Sequence, residues 1–455
     1  MSYRTAMAIP AGRAARLMAW AGLAVVAAIG MGGCAPSRQP SPGRTEISLF
    51  TWVQPKEAAV NAELIRQFER KHPDISVRII NDPSQRAMDK LQAKFGAGQP
   101  PDVMSIHGAY FVPLAAKGAL LDLGPLIESD PGFELADFYP GLLELCRYRG
   151  KLYSVPRYAS VYVLFYNQDL FDAAGVAYPD ASWTWDHYLR AAQRLTVRSD
   201  DPNRRQYGCI IDFWGARLYP WIWQNGGQIL NKERTRCLLD SPQAIGALQF
   251  LVDLRDKHKV AASSESTDRN MALDAFRTGR IGMYMTGAWD IQTLQPIESL
   301  HWEVAPLPRR KRRATLLGTE NYAIAANTKH PRQAWALLKF LLDGSAQQRM
   351  AAELEKQPSR RSVAEGPYLR GPLGKKHRVF VEALDYGAAP PNIPEWDRIG
   401  RAIVQQQMDL IWTGNISVAQ GCRTAAARAN QELSATRHAR RAPATDGHAA
   451  RQGNF

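Results

Sequence analysis

Short apolar runs of strand length alternate with longer runs of helical period along most of this chain, and that alternation limits its fold more than any other feature. Residues 46–53 carry a strand pattern, 57–71 an amphipathic helix stopped by His72-Pro73, and 75–80 a second strand. The unit recurs with a helix at 84–95, a Gly/Pro loop at 96–101, a strand at 102–106 and a helix from 110 to 117 closed by Gly118. Strands at 152–155, 161–167, 281–286, 302–305 and 322–326 and helices at 185–196, 242–257, 272–277, 331–342, 397–412 and 417–433 continue the pattern. Such alternation predicts an α/β protein with parallel sheets. The chain has 455 residues, 45% of them hydrophobic. Single cores stop growing at roughly 250–300 residues, so about two lobes are expected.

The amino terminus decides the compartment. Arg4, Arg13 and Arg16 precede an uncharged stretch over residues 17–33, which is the pattern of an export signal. As a helix this stretch would reach about 26 Å, short of the roughly 30 Å of a hydrocarbon core, so a spanning anchor is disfavoured. It ends in Met31-Gly32-Gly33-Cys34, which resembles the bacterial lipobox. That resemblance implies that Cys34 is lipidated and becomes the mature amino terminus, residues 1–33 being the signal peptide and 34–45 a tether.

The net charge of +14 suggests nucleic acid until it is mapped. Three of these charges lie in residues 1–33, two in 34–45 and three in 434–455, leaving +6 for the folded region. A run from Arg309 to Arg313 reads as a solvated loop, and residues 434–455, polar and Arg-rich, read as a disordered tail. Neither calls for nucleic acid. Besides Cys34 there are Cys146, Cys209, Cys237 and Cys422; an exported chain permits disulfides, with Cys209–Cys237 the preferred pair and buried free thiols the alternative. No cysteine or histidine cluster has metal spacing, and no cofactor is expected. The absence of a Gly-x-x-x-x-Gly-Lys-Ser/Thr loop means that any ATP-driven step needs a separate ATPase.

Several segments occur in a telling order. Gly150-Lys151-Leu152-Tyr153-Ser154-Val155-Pro156 leads to Phe165-Tyr166-Asn167-Gln168-Asp169-Leu170-Phe171 and Ser182-Trp183-Thr184-Trp185. Ala275-Phe276-Arg277-Thr278-Gly279-Arg280-Ile281-Gly282-Met283 follows, then Gly287-Ala288-Trp289 and Val304-Ala305-Pro306-Leu307-Pro308. Together they resemble the solute-binding proteins of ATP-binding-cassette importers, in particular the maltose-binding-protein-like group. That resemblance implies a two-lobe fold of the type II periplasmic-binding class, the chain passing three times between lobes. Lobe I would comprise 46–157 and 318–355, lobe II 158–317 and 356–433, with passages near 156–160, 316–321 and 355–361. It also implies a monomeric, lipid-anchored receptor that closes on a sugar or related polyol and delivers it to permease subunits.

A sugar presents hydroxyls at its edge and C–H patches on its faces, so its site needs aromatic faces with a polar rim. Trp52, Trp214, Trp221, Trp289 and Trp396 lie after strands or at family-matching positions and are the candidate faces; core packing is the alternative for each. Trp183, Trp302 and Trp335 read as structural. Polar candidates are His107 and Tyr110 after the 102–106 strand, Arg157, Tyr158 and Ser160 at the first passage, Glu320 and Asn321 at the second, and Arg361 near the third. Competing readings are an exported carbohydrate-active enzyme, which needs two suitably spaced carboxylates, and a lipoprotein informing a membrane sensor kinase. No Gly-x-Ser-x-Gly or His-Glu-x-x-His motif favours an enzyme.

Overall fold

A computed structural model describes residues 43–84, 86–201, 204–263 and 269–441. The expected signal segment, Cys34, most of the tether and the tail beyond 441 lie outside them.

The first sheet contains β1 (Thr45–Thr51), β2 (Ile75–Asn81), β3 (Val103–His107), β6 (Ser154–Val161), β12 (Thr315–Ile324) and β13 (Gly387–Ala388); β4 (Arg147–Tyr148) and β5 (Lys151–Leu152) form a separate hairpin. β1 pairs in parallel with β2 and β3, while β12 runs antiparallel to both β3 and β6. The second sheet has the order β11-β7-β10-β8-β9, with β7 (Val163–Asn167), β8 (Tyr207–Ile211), β9 (Ala261–Ser263), β10 (Ile281–Thr286) and β11 (Trp302–Ala305). β7 is antiparallel to both β10 and β11. Both sheets are therefore mixed, correcting the expectation of parallel ones.

Burial on both faces explains the strand sequences. Ile47 and Leu49 enter one core and Phe50 another, as a central strand covered on two sides requires. The helix Pro55–Lys71 opens with proline at its first turn and closes on Arg70 and Lys71, suiting its dipole. Val60, Leu64 and Phe68 make its buried stripe, but Glu57 and Asn61 lie on the same face and are buried too.

Residues 156–160 and 316–321, the stretches named for the first two passages, lie inside β6 and β12, which pair from Leu317–Val161 to Ala323–Ser154. This antiparallel ribbon leaves the first sheet, and the chain turns into the second at Tyr162. Val161 and Leu317 share a core with Phe165, Trp302 and Phe380 of the second lobe, so apolar packing continues past the ribbon. A third link follows the helix Gly344–Leu354, which packs on the Pro55–Lys71 helix, and leads to the helix Gly374–Ala383 against β11 and β7.

Of the two readings of the cysteines, the buried free thiol is the one found: Cys209 and Cys237 are unpaired and buried, as are Cys146 and Cys422. Residues 235–240 form a loop touching Leu230 by one bridge. The final helix, Val418–Arg441, continues into the segment expected to be disordered from 434. Among the described residues no helix is long and apolar enough to cross a membrane.

Candidate functional site

Carboxyl ends of neighbouring parallel strands are where β–α turns leave groups free to bind, and both lobes place aromatic side chains there. Trp52 follows β1 and His107 ends β3, their rings edge to face at 6.3 Å. His107 Nδ1 accepts a hydrogen bond from the Ala109 amide (3.2 Å), capping the helix Gly108–Ala116 and leaving the ring proton on Nε2. That helix starts hard against β12. A Cβ on Gly108 would come within 2.9 Å of Thr319 Oγ1 and 3.1 Å of the Thr319 carbonyl, so glycine is needed for the close approach. Tyr110, on the helix's first turn, meets the His107 ring edge-on at 6.3 Å. Glu320 of β12 pairs in register with His107. Surrounding protein pushes the His107 imidazole below its ordinary pKa, and Glu320 pulls the other way.

Behind Glu320 is a buried ionic knot. Arg157, 2% exposed, contacts Glu57 at 2.7 Å and Glu320 at 3.9 Å, and donates to Asn61 Oδ1 (3.1 Å) and Ser105 Oγ (3.4 Å). Its guanidinium lies over the Tyr158 and Tyr322 rings at 4.4 and 5.0 Å. Lys356 reaches the other Glu57 oxygen at 3.0 Å. Burial alone would raise the Glu57 carboxyl, but Arg157 and Lys356 outweigh it and hold the group below the usual carboxylate range. Arg157 and Glu320 stand on the two ribbon strands and Lys356 on the third link, so every connection between the lobes contributes one charge to this knot.

In the second lobe Trp289 follows β10, its ring edge to face with Tyr162 at 5.6 Å, where the chain passes between the sheets. Asp290 accepts from Thr286 Oγ1 (2.6 Å) and the Tyr284 hydroxyl (3.2 Å), fixing that turn. Trp214 follows β8 and is 43% exposed. The amide of Gly215 donates to Gln405 Oε1 (2.8 Å), one turn beyond Arg401. Arg401 sits in a π-helical turn, Ile399–Val404, a local widening that often marks functional positions. It pairs with Asp397 and donates to the Tyr110 hydroxyl at 3.1 Å, above the ring at 5.3 Å. This bond joins the two lobes.

Trp52, His107, Tyr110 and Glu320 are therefore brought together. Along β12, Ser160 stands half-buried beside Gly318, and Tyr162 bonds Thr315 next to Trp289. From Thr315 to Glu320 this floor spans about 17 Å at 3.4 Å per residue. Other candidates are used elsewhere. Tyr158 is 3% exposed and its hydroxyl donates to Glu57 (3.1 Å), so it belongs to the knot, as does Arg157. Asn321 is fully buried and accepts from Cys146 Sγ (3.3 Å). Trp221 packs in a core between Trp185, Tyr188 and Phe250, and Trp396 is buried with its Nε1 donating to the Tyr219 hydroxyl (3.0 Å). Arg361 lies over the Tyr139 ring on the short helix after the third link. Arg401 and Tyr162 were not singled out from the sequence. The Asp397/Arg401 spacing of four on a helix was the available signal. Among the described residues no group of three or more His, Cys, Asp or Glu is placed to hold a metal ion.

Residues 52–348 match the family model for bacterial extracellular solute-binding proteins. The chain belongs to this family. Its fold is similar to an ABC substrate-binding protein from Listeria monocytogenes solved in complex with cycloalternan, with a TM-score of 0.79 and 25% identity over 86% of this chain and 99% of that one. Maltose-bound MalE3 of T. maritima matches with a TM-score of 0.72 and 24% identity over 86% and 99%. In sequence, the galactooligosaccharide-binding protein of Bacillus subtilis is 20% identical over 425 residues, covering 90% of this solute-binding protein and 93% of that relative. The architecture is thus the two-lobe α/β fold of the MalE-like solute-binding proteins.

Proposed function

We propose that this solute-binding protein is a lipid-anchored extracytoplasmic receptor that takes a sugar or related polyol between its lobes and delivers it to an ABC permease driven by a separate ATPase. The observation that carries the reading is the cleft's composition: Trp52, Tyr110, Trp214 and Trp289 offer ring faces, and His107, Glu320, Arg401 and Asp397 offer hydrogen-bonding groups of both polarities. Hydrogen bonds to charged groups contribute roughly 1.5–3 kcal/mol each, about twice a neutral pair, which suits a ligand made of hydroxyls. The Arg401–Tyr110 bond spans the lobes, so a ligand seated beside it would touch both and favour closure by its differential affinity. A structural neighbour solved with cycloalternan and a relative named as a galactooligosaccharide-binding protein support the same solute class. Lipid anchoring rests on Met31-Gly32-Gly33-Cys34.

A thermal-shift screen of the purified protein against sugars, polyols, phosphorylated polyols and polyamines tests the reading, since a ligand that binds only the native state raises the melting temperature. Sugars or polyols should shift it; a response to polyamines alone, or turnover of a glycoside, would overturn it. Mass spectrometry of the protein from membranes should show a diacylglyceryl group on Cys34.

A further inference from the structure

Two turns, one from each lobe, put arginine where the backbone is left-handed. Among the described residues four non-glycine residues have positive φ, and two of them, Arg149 (φ 50°) and Arg234 (φ 55°), line one cavity between the lobes. Arg149 and Gly150 (φ 79°) form the two-residue turn of the β4–β5 hairpin, closed by the Tyr148–Lys151 pair. Both central residues of such a turn need positive φ, and asparagine, aspartate or glycine is the usual choice at the first. In the second lobe Leu230 and Cys237 bridge, and Asn231 Oδ1 accepts from the Thr235 and Arg236 amides (2.7 and 2.8 Å), which folds the chain over at Arg234. At both tips a Cβ crowds the main chain, so arginine is a poor choice for the fold and points to a use for its side chain.

The cavity holds about 500 Å³, within the roughly 300–1,000 Å³ of small-molecule sites. Ile393, Pro394 and Leu433 give it an apolar wall, and Arg147 and Arg437 join the two turn arginines around it. Arg147 donates to the Gly150 carbonyl (3.1 Å), Arg149 lies over the Tyr148 ring at 5.4 Å, and Arg234 donates to the Asn392 carbonyl (3.5 Å). These contacts leave most of the five N–H donors of each guanidinium unused. Three carboxylates share the rim: Glu144, its side chain 70% exposed and 3.9 Å from Arg147, Glu233, which accepts from Asn231 Nδ2 (2.9 Å), and Glu395. Four guanidiniums against three carboxylates leave the cavity cationic. It adjoins the bond between Arg401 and Tyr110, because β4 packs on the helix Gly108–Ala116 that carries Tyr110, and residues 392–395 run into Asp397 and Arg401.

We infer that this cavity receives an oxyanion carried by the solute, the carboxylate of a uronic acid unit or a phosphate ester, so that the preferred ligand is an acidic saccharide lying from Trp52 and His107 past Tyr110 to the two turn arginines. This rests on the sugar-binding reading and adds a charge to the ligand. Planar guanidinium forks suit carboxylate and phosphate oxygens, whereas hydroxyls alone do not call for four of them. Because Arg149 belongs to one lobe and Arg234 to the other, an anion between them also favours closure.

The test compares uronic acid trisaccharides with their neutral counterparts, and glucose 6-phosphate with glucose, by isothermal titration on the wild type and on the double variant Arg149→Asn/Arg234→Gly. These replacements suit left-handed turns better than arginine does, so the variant should melt at the wild-type temperature or above it. The wild type should bind at least one acidic compound tenfold or more tighter than its neutral counterpart, and the variant should lose that margin while keeping its affinity for the neutral one. The wild-type margin should shrink as salt rises from about 0.05 to about 0.5 M. A margin among the uronates assigns the oxyanion to a carboxylate, and one for glucose 6-phosphate assigns it to a phosphate ester. Neutral sugars bound as tightly as acidic ones, or a margin that survives in the variant, would overturn the oxyanion site and leave the sugar-binding reading standing. Binding of no saccharide, neutral or acidic, would overturn both.

Discussion

Replacing Arg157 by Met asks how much the ionic knot holds. The substitution keeps most of the side-chain volume between the Tyr158 and Tyr322 rings but removes the cation, leaving Glu57 with Lys356 as its remaining cation and the Tyr158 hydroxyl as a neutral donor, and depriving Glu320 of its buried partner. Arg157 is 2% and Glu57 7% exposed, so solvent cannot take over the lost role. Removing one partner of a buried pair typically costs about 3–5 kcal/mol, because an uncompensated charge is left behind. For roughly 400 folded residues, at about 2.1 cal/mol/K each, the melting temperature should fall by about 4–6 °C. The pH dependence gives a second check. Glu57 is held below its ordinary value, so its contribution is full above about pH 4.5 and is lost as pH falls through the folded value. Acid should therefore narrow the gap between wild type and Arg157→Met, since the stranded carboxyl takes up a proton. Urea unfolding at about pH 7 and about pH 4 measures both effects. A loss below about 1 kcal/mol at neutral pH, or a gap that does not narrow in acid, would refute the assignment.

Trp289→Ala should weaken sugar binding at least tenfold in calorimetry with little loss of melting temperature, whereas Trp221→Ala should cost about 3–5 kcal/mol of stability and leave the affinity of the folded fraction unchanged. Trp396→Phe, which leaves the Tyr219 hydroxyl without its indole donor, should lower stability by about 1 kcal/mol in urea titrations without moving affinity. Burial pushes the thiols of Cys146, Cys209 and Cys422 to about 12 and that of Cys237 to about 11, so the native protein should react slowly with a disulfide reagent at neutral pH and its melting temperature should ignore added reductant. Arg401→Lys should loosen the contact with Tyr110 and raise the sugar dissociation constant several-fold, since an ammonium cannot fork between Asp397 and the phenol.

Much of the fold was legible because hydrophobic period is a local property: β1, the Pro55–Lys71 helix and β2 follow from alternation and from His72-Pro73. The ribbon was not. The main chains of Thr319, Glu320 and Asn321 are satisfied by β6 and β3, pairings far away in sequence that no local pattern shows. Among the candidates, the placement of Trp52, His107 and Trp289 just after or at the ends of strands was readable from position. Tyr158, Trp221 and Trp396 were misplaced for one reason: the same side chain serves a cleft or a core, and only the third dimension says which partners, Glu57, Phe250 or Tyr219, take it up. Arg401 escaped because it sits in mid-helix, on a π-turn that no local pattern announces.

The central claim is that the cleft residues of this family member hold a sugar or polyol. Isothermal titration with the best compound from the screen, run on wild type and on Glu320→Gln, tests it most directly. The expected result is one ligand per chain, with affinity at least tenfold weaker in the variant and both proteins equally folded. Equal affinities for the two proteins, or no binding by any sugar or polyol, would contradict it.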